Sequence, residues 1–208
     1  MAQTTESAKG EMLGWFASKF GAFLANDMMR NIIGQTKSGF NLREIMDNKK
    51  ILLVNLSKGR VGELNSQLLG MIFVMKFNAA AMGRADMPES ERQDFSLYVD
   101  EFQNFATMSF VQMLSESRKY KLFLTMAEQS TSQQDDQRMV NIILANVGTV
   151  VCFRTGNPAD EQALLQMFSP YIEQGEIANL TTFNYYIRIA AIQSQEPLSG
   201  RTLLLNDK

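Results

Sequence analysis

Two adjacent carboxylates, Asp100 and Glu101, close the apolar run Phe95-Ser-Leu-Tyr-Val99. An acid pair at the end of a strand suits phosphate chemistry: one carboxylate orders Mg2+ and the other polarises the attacking water. A strand end is rigid, and a water-poor site keeps the metal's charge effective. Many strands also end in acids where the chain turns, so the pair needs support from its context. That context should include a phosphate-wrapping loop of the form G-x-x-x-x-G-K-[ST]. The nearest stretch is "NIIGQTKSGF", residues 31–40. It has Lys37-Ser38, but Thr36 and Asn31 stand where the two glycines belong. Without those glycines the backbone N–H groups cannot wrap a phosphate closely. The segment before it also reads as helix, not strand. "SKGRVGE", residues 57–63, lacks the required order as well.

Three further polar side chains sit at element ends. Arg118, followed by Lys119, closes a helical stretch, and Gln129 closes the strand-like run "KLFLTMAEQS". They fit a guanidinium that reaches a neighbour's γ-phosphate and an amide that senses it. They equally fit a cation complementing a helix dipole and a polar strand terminus. Arg154, after "TVVCF", carries the same two readings. The basic turn Ser57-Lys58-Gly59-Arg60 reads as solvated, because a nucleic-acid backbone calls for a broader patch. Phe102, Phe105 and Phe110 read as packing residues.

Composition removes other chemistries. The 208 residues include no histidine, which excludes imidazole acid–base catalysis, Ser-His-Asp triads and histidine-ligated metals. The lone cysteine, Cys152, excludes an intrachain disulfide and a multi-cysteine metal site, and fits a reducing compartment. A net charge of −2 gives no global basic footprint for nucleic acid. With 45% hydrophobic residues the chain can bury a real core, and its 14 methionines read as adaptable filling. The polar start "MAQTTESAKGEM" shows no secretory leader. The apolar run near "LLGMIFVM" stops at Lys76 and reads as too short to span a bilayer.

The elements that must position these groups follow from periodicity. Residues 10–33 form an amphipathic helical lead-in with Trp15, Phe16, Phe20, Phe23 and Leu24 on one face, and residues 1–40 as a whole read as helical lead-in. Residues 41–50 form a short helix capped by Asn41. Residues 51–57, "ILLVNLS", read as a buried strand. A long helix covers 64–85, a strand 95–101, a helix 109–120, a strand 121–130, a helix 139–147 and a strand 148–155. A helix opens at Asn157-Pro158 with acids in its first turn. Residues 181–194 alternate as a final strand, and 196–207 add an edge strand. Strands alternating with helices predict one α/β domain over 1–208, with a mainly parallel sheet and helices on both faces. In such a sheet the carboxyl ends of strands gather the working groups. Here those are Asn55 and Ser57, Asp100 and Glu101, Glu128 and Gln129, and Arg154.

The ordered stretches at 30–63, 95–107, 115–133 and 143–156 resemble the conjugative-transfer coupling ATPases of the TraG/TraD type. These belong to the HerA/FtsK-like group of RecA-fold DNA motors. The resemblance covers roughly residues 12–200, an extent judged from motif order. It implies a three-layer RecA-like domain that carries the Walker B half of a homo-hexameric, Mg2+- and ATP-driven motor. It implies a DNA or nucleoprotein substrate, secretion-channel partners, and a cytoplasmic position at the inner membrane. It makes Glu101 the catalytic base, Asp100 the Mg2+ and nucleotide partner, Arg118 a finger acting across subunits, and Gln129 the sensor. Arg154 would serve at the nucleotide. The phosphate-loop half and any membrane helix are missing from this chain, so no hydrolysis is expected from it alone. The alternative is an adaptor of the same fold that lacks a phosphate loop and serves as a protein-interaction module. A carboxylate-based Mg2+ phosphotransferase is a third reading, weakened by the lack of a second acid cluster.

Overall fold

The computed structural model describes residues 26–131, 137–190 and 196–203. Residues 10–25 of the expected lead-in, with Trp15 and its apolar companions, lie outside the described residues, as do 191–194 and 204–207 of the expected last strands. The elements in order are α1 (Asp27–Ile33), α2 (Leu42–Asp47), α3 (Lys58–Val61), α4 (Glu63–Met82), β1 (Phe95–Val99), α5 (Met108–Glu116), β2 (Leu122–Met126), α6 (Gln137–Asn146), β3 (Thr149–Phe153), α7 (Pro158–Phe168), β4 (Asn184–Ile189) and β5 (Leu198–Arg201).

The helix starts follow local chemistry. The Asn41 side-chain oxygen accepts from the Arg43 and Glu44 N–H groups, and the Asn157 oxygen accepts from Ala159 N–H ahead of Pro158. Thr107 caps α5 through Phe110 N–H. These side chains satisfy donors that have no partner in the first helical turn.

The strands form two sheets. β1 and β2 pair in parallel, Phe95 opposite Leu122 through Val99 opposite Met126. β3, β4 and β5 pair antiparallel in that order. The expectation of one mainly parallel sheet is therefore corrected. The chain between β3 and β4 holds α7 and then irregular backbone, and it re-enters beside β3 in the opposite direction. The expectation of helices on both faces is corrected too. On β1 and β2 one face is packed, with Val99 and Leu122 buried, while Ser96, Tyr98, Phe123 and Thr125 on the other face are exposed. Residues 51–57, expected as a buried strand, adopt no regular secondary structure, are largely exposed, and pair with no strand among the described residues.

The main core joins Leu42, Ile45 and Met46 of α2, Val74, Phe77 and Ala81 of α4, and Phe110, Val111 and Met113 of α5 to Val99, Phe102 and Leu122. A smaller cluster of Cys152, Phe168 and Ile177 sits beneath the antiparallel sheet. Within Glu63–Asp86 an 18-residue stretch has a mean hydropathy of 1.2, so the segment is long and apolar enough to cross a membrane, longer than the run ending at Lys76 suggested. Its buried residues include Leu69, Val74, Phe77 and Ala81, and Phe77 stacks on Phe95 of β1 at 5.6 Å, so α4 serves as a core helix.

Candidate functional site

The β1 strand delivers Asp100 and Glu101 to its carboxyl end, and the chain then turns sharply. Glu101 adopts the left-handed conformation, φ 48° and ψ 48°. This is a region that residues with a Cβ seldom occupy and that costs roughly 1–2 kcal/mol. Several contacts hold it there. The Glu101 N–H donates to the Asp100 carboxylate at 3.0 Å. Asn104 donates its backbone and side-chain N–H to the Glu101 carbonyl, both at 3.0 Å. The parallel ladder resumes immediately: Ala127 N–H donates to Val99 O, and Phe102 N–H to Ala127 O. Phe102 is buried and stacks on Phe110, and the Phe105 ring lies against Gly70 of α4, where a Cβ would collide with it. The sequence Phe-Gln-Asn-Phe thus anchors a strained acid with two core aromatics and one back-bonding amide.

The Glu101 carboxylate is in turn fixed by two amides. Gln129 donates from Nε2 to Oε1 at 3.1 Å, and Asn104 from Nδ2 to Oε2 at 3.3 Å. Gln129 comes from the segment after β2, so the parallel register that pairs Val99 with Met126 is what brings the two tips together. The Gln129 loop is itself tethered. Ser130 and Thr131 donate their hydroxyls to Asp160 at 2.7 and 2.6 Å. Asp160 is buried in the first turn of α7, so the loop bearing Gln129 is tied to the helix that packs under the antiparallel sheet.

The structure joins Asp100, Glu101 and Gln129, as the sequence suggested, but not the two arginines. Arg118 lies in the turn Ser117–Tyr120 at the amino end of β2, with the length of the strand, on the order of 15 Å, between it and Gln129. It cannot reach Glu101 of its own chain. Arg154 is exposed beyond β3 in the other sheet, and no hydrogen bond or ion pair links it to the acid pair among the described residues. Ser57 and Lys58 line the same cavity as Asp100 and Glu101. "GQTKSGF" is an exposed, irregular stretch that directly follows the helix α1 and not a strand.

Sequence reasoning missed Asn104, Asp160 and Arg84. Arg84 is completely buried after α4. It donates to Asp47 at 2.9 Å and to the carbonyls of Gln93 and Tyr120, each at 2.8 Å. Burial pushes its guanidinium down from the usual arginine range, opposed by Asp47. Arg92 donates to Lys119 O and lies over the Tyr120 ring at 5.2 Å. The two arginines therefore grip the turn that carries Arg118. The signal for Asn104 was its spacing of three from Glu101, but a buried Arg84 has no local sequence signature.

No group of three or more acidic or cysteine side chains able to hold a metal exists among the described residues. The Asp100–Glu101 pair still fits Mg2+, which is held by one or two carboxylates together with substrate phosphates.

Comparisons with known proteins bear on the family and the fold. Residues 94–198 match the family described as the TraM recognition site of TraD and TraG. Among solved structures, the bacterial conjugative coupling protein TrwB, lacking its N-terminal segment, superposes with a TM-score of 0.65 at 18% identity, over 95% of this chain and 50% of that one. The genome packaging NTPase B204 of Sulfolobus turreted icosahedral virus 2 is similar in its sulfate complex, with a TM-score of 0.55 and 14% identity over 96% of this chain and 93% of that one. Its AMPPCP complex gives 0.54 at 15%, over 80% and 73%. At these identities the likeness shows the fold. No curated protein sequence matches the chain.

Proposed function

Because the chain belongs to the family described as the TraM recognition site of TraD and TraG, matching it over about half of its 208 residues, we propose that it is the carboxylate-bearing part of an ATP-driven coupling motor for DNA or nucleoprotein transfer. The observation that carries this reading is the Gln129–Glu101 hydrogen bond between the tips of two parallel strands. A base that must polarise water and a sensor that must report on phosphate are useful only when their positions depend on each other.

In this reading Glu101 accepts the proton of the attacking water. Asn104 and Gln129 fix the direction of its carboxylate. Asp100 would hold Mg2+ together with the phosphates of a nucleotide, and the ion would supply neutralisation of phosphate charge. Arg118, out of reach in cis and held on a braced turn, serves a neighbouring subunit of a homo-hexamer. Arg154 contacts nucleotide from the second sheet. B204 was solved with ATP-gammaS, AMPPCP and AMP, which supports a nucleotide ligand for this fold. The phosphate cradle comes from polypeptide other than these residues. Partners follow from the family description and the coupling role: a TraM-like nucleoprotein component and a secretion channel, met on the cytoplasmic side of the inner membrane.

The test is Glu101→Gln in a parent protein that carries a phosphate loop. ATP binding should persist while turnover falls by about 10²-fold or more, the scale of losing a general base. Undiminished hydrolysis in that variant removes Glu101 from the chemistry. The 208-residue chain alone should hydrolyse ATP at background rate.

A further inference from the structure

The first turn of α7 holds two adjacent carboxylates, Asp160 and Glu161, and both are buried. Acids early in a helix complement its dipole, which accounts for their place in the sequence but not for their burial. The helix start is already capped, because the Asn157 side chain accepts from Ala159 N–H. The two carboxylates instead accept hydrogen bonds from two separate stretches of chain. Asp160 accepts from the Ser130 and Thr131 hydroxyls at 2.7 and 2.6 Å, on the loop that carries Gln129. Glu161 Oε1 accepts from the backbone N–H groups of Gly175 and Ala178, at 2.9 and 3.1 Å.

Segment 173–178 is irregular backbone between α7 and β4. It winds about the Glu161 carboxylate. Gly175 takes φ 93°, which only a residue without a Cβ adopts at little cost. Asn179 donates its backbone and side-chain N–H to Gly175 O at 3.0 and 2.8 Å. Ile177 is completely buried and packs with Phe168 and Cys152. Around it Tyr171, Glu173, Gln174 and Glu176 are exposed. The segment is therefore held from beneath by a carboxylate and an apolar plug, while its outer surface faces solvent.

Neighbouring residues on a helix point about 100° apart, so one turn of α7 can grip two segments at once. Their Cα atoms are only about 3.8 Å apart and belong to one hydrogen-bonded turn, so a shift of one carboxylate displaces the other. Close packing of the interior passes such shifts on. From the acid pair outward, Glu101 meets Gln129, the next two residues meet Asp160, and the next acid meets segment 173–178.

We infer that the first turn of α7 is a two-armed coupling, which ties the position of the Gln129 loop to the conformation of segment 173–178. The inference deepens the proposed function and rests on it only for what moves Gln129, the arrival and loss of a γ-phosphate. The state of the acid site is then expressed on the surface formed by Tyr171, Glu173, Gln174 and Glu176. Coupling between sites is reciprocal, so a partner that rearranges this surface also shifts Gln129.

The test uses the 208-residue chain without nucleotide and reads amide exchange by NMR. Glu161→Gln keeps the shape of the side chain and one accepting oxygen. It should speed exchange at Gly175 and Ala178, and also at 127–131, with which Glu161 makes no hydrogen bond. The expected factor at 127–131 is about fivefold or more, the low end of coupling between distinct sites. Conversely, Gln129→Ala should speed exchange at Gly175 and Ala178 by a similar factor. With the Asp160 arm cut by Ser130→Ala and Thr131→Val together, that effect of Gln129→Ala should vanish. Ser130→Ala alone, a milder change, should already reduce it. Exchange at Val74 and Phe77 of α4 reports global opening and should stay nearly constant in all variants. Effects confined to the segment that each variant touches would overturn the inference. So would an equal rise at Val74 and Phe77, because general unfolding would then explain the result. Survival of the Gln129→Ala effect after the arm is cut would overturn it too, because the signal would bypass Asp160. The catalytic reading is judged by turnover of Glu101→Gln in a parent with a phosphate loop, so either can fail without the other.

Discussion

Asp160 is the buried carboxylate on which the geometry of Gln129 depends, and its removal has a calculable consequence. Asp160→Ala deletes the acceptors of two hydroxyl hydrogen bonds, at 2.7 Å from Ser130 and 2.6 Å from Thr131. A hydrogen bond to a charged group is worth about 1.5–3 kcal/mol, and Thr131 is itself buried, so its hydroxyl would be left without that partner. The two losses are not fully additive, which places the expected destabilisation at about 3–5 kcal/mol, a large part of the roughly 5–15 kcal/mol of a typical domain. Asp160→Asn keeps the shape and one acceptor, and should lose about half as much. Urea unfolding followed by far-UV circular dichroism measures both values. Amide exchange at 127–131 shows whether the loop itself loosens. In a parent with a phosphate loop, Asp160→Asn should lower kcat for ATP and leave KM nearly unchanged, because a misplaced Gln129 disturbs the water and not nucleotide docking. A loss below about 1 kcal/mol with unchanged exchange would mean that the Gln129 loop supports itself, and the tether to α7 would have no role.

Other consequences follow from single sites. Arg84→Met should destabilise the chain by about 3–5 kcal/mol in the same denaturation assay, since it strips a buried guanidinium from Asp47 and three carbonyls; a loss under 1 kcal/mol would show that the 117–121 turn needs no brace. Glu101→Gly should be more stable than Glu101→Ala by about 1 kcal/mol, because both lose the carboxylate and only alanine has a Cβ to strain at φ 48°. Equal Tm values for the two would argue against the left-handed turn. Burial, with a smaller contribution from Glu161 and Asp160, pushes the Cys152 thiol up to about 11. Its neutral form is favoured by folding, so the stability it contributes is complete below pH 9 and declines as pH rises towards 11. The native chain should therefore lose stability faster over that interval than Cys152→Ala, and parallel curves would contradict this.

How much was legible in advance depended on how local each cause was. Asn41 and Asn157 cap their helices through oxygens two or three residues from the N–H groups they accept, so spacing revealed them. Phe102 and Phe110 were recognisable as core from type and periodicity. Gln129 could be paired with Glu101 only on the assumption of parallel neighbours, which the β1–β2 register then supplied.

Arg154 was grouped with the acids by its place at a strand end, and sheet membership sets it apart; Arg118 was expected to act across subunits, and strand direction places it at the opposite end of β2 from Gln129. The segment 51–57 has the composition of a strand, but pairing requires a partner edge, and its nearest edge lies across a cavity. Arg84 and Asp160 depend on contacts with residues 29 to 37 positions away, which no local pattern encodes. The sequence alone determined the residue types, the caps, the apolar periodicity and the acid pair at a strand end, because each arises within a few positions. Tertiary structure alone decided which tips meet, which sheet each strand joins and which buried charges hold the loops, because these are set by long-range packing and by the hydrogen-bond demand of groups removed from water.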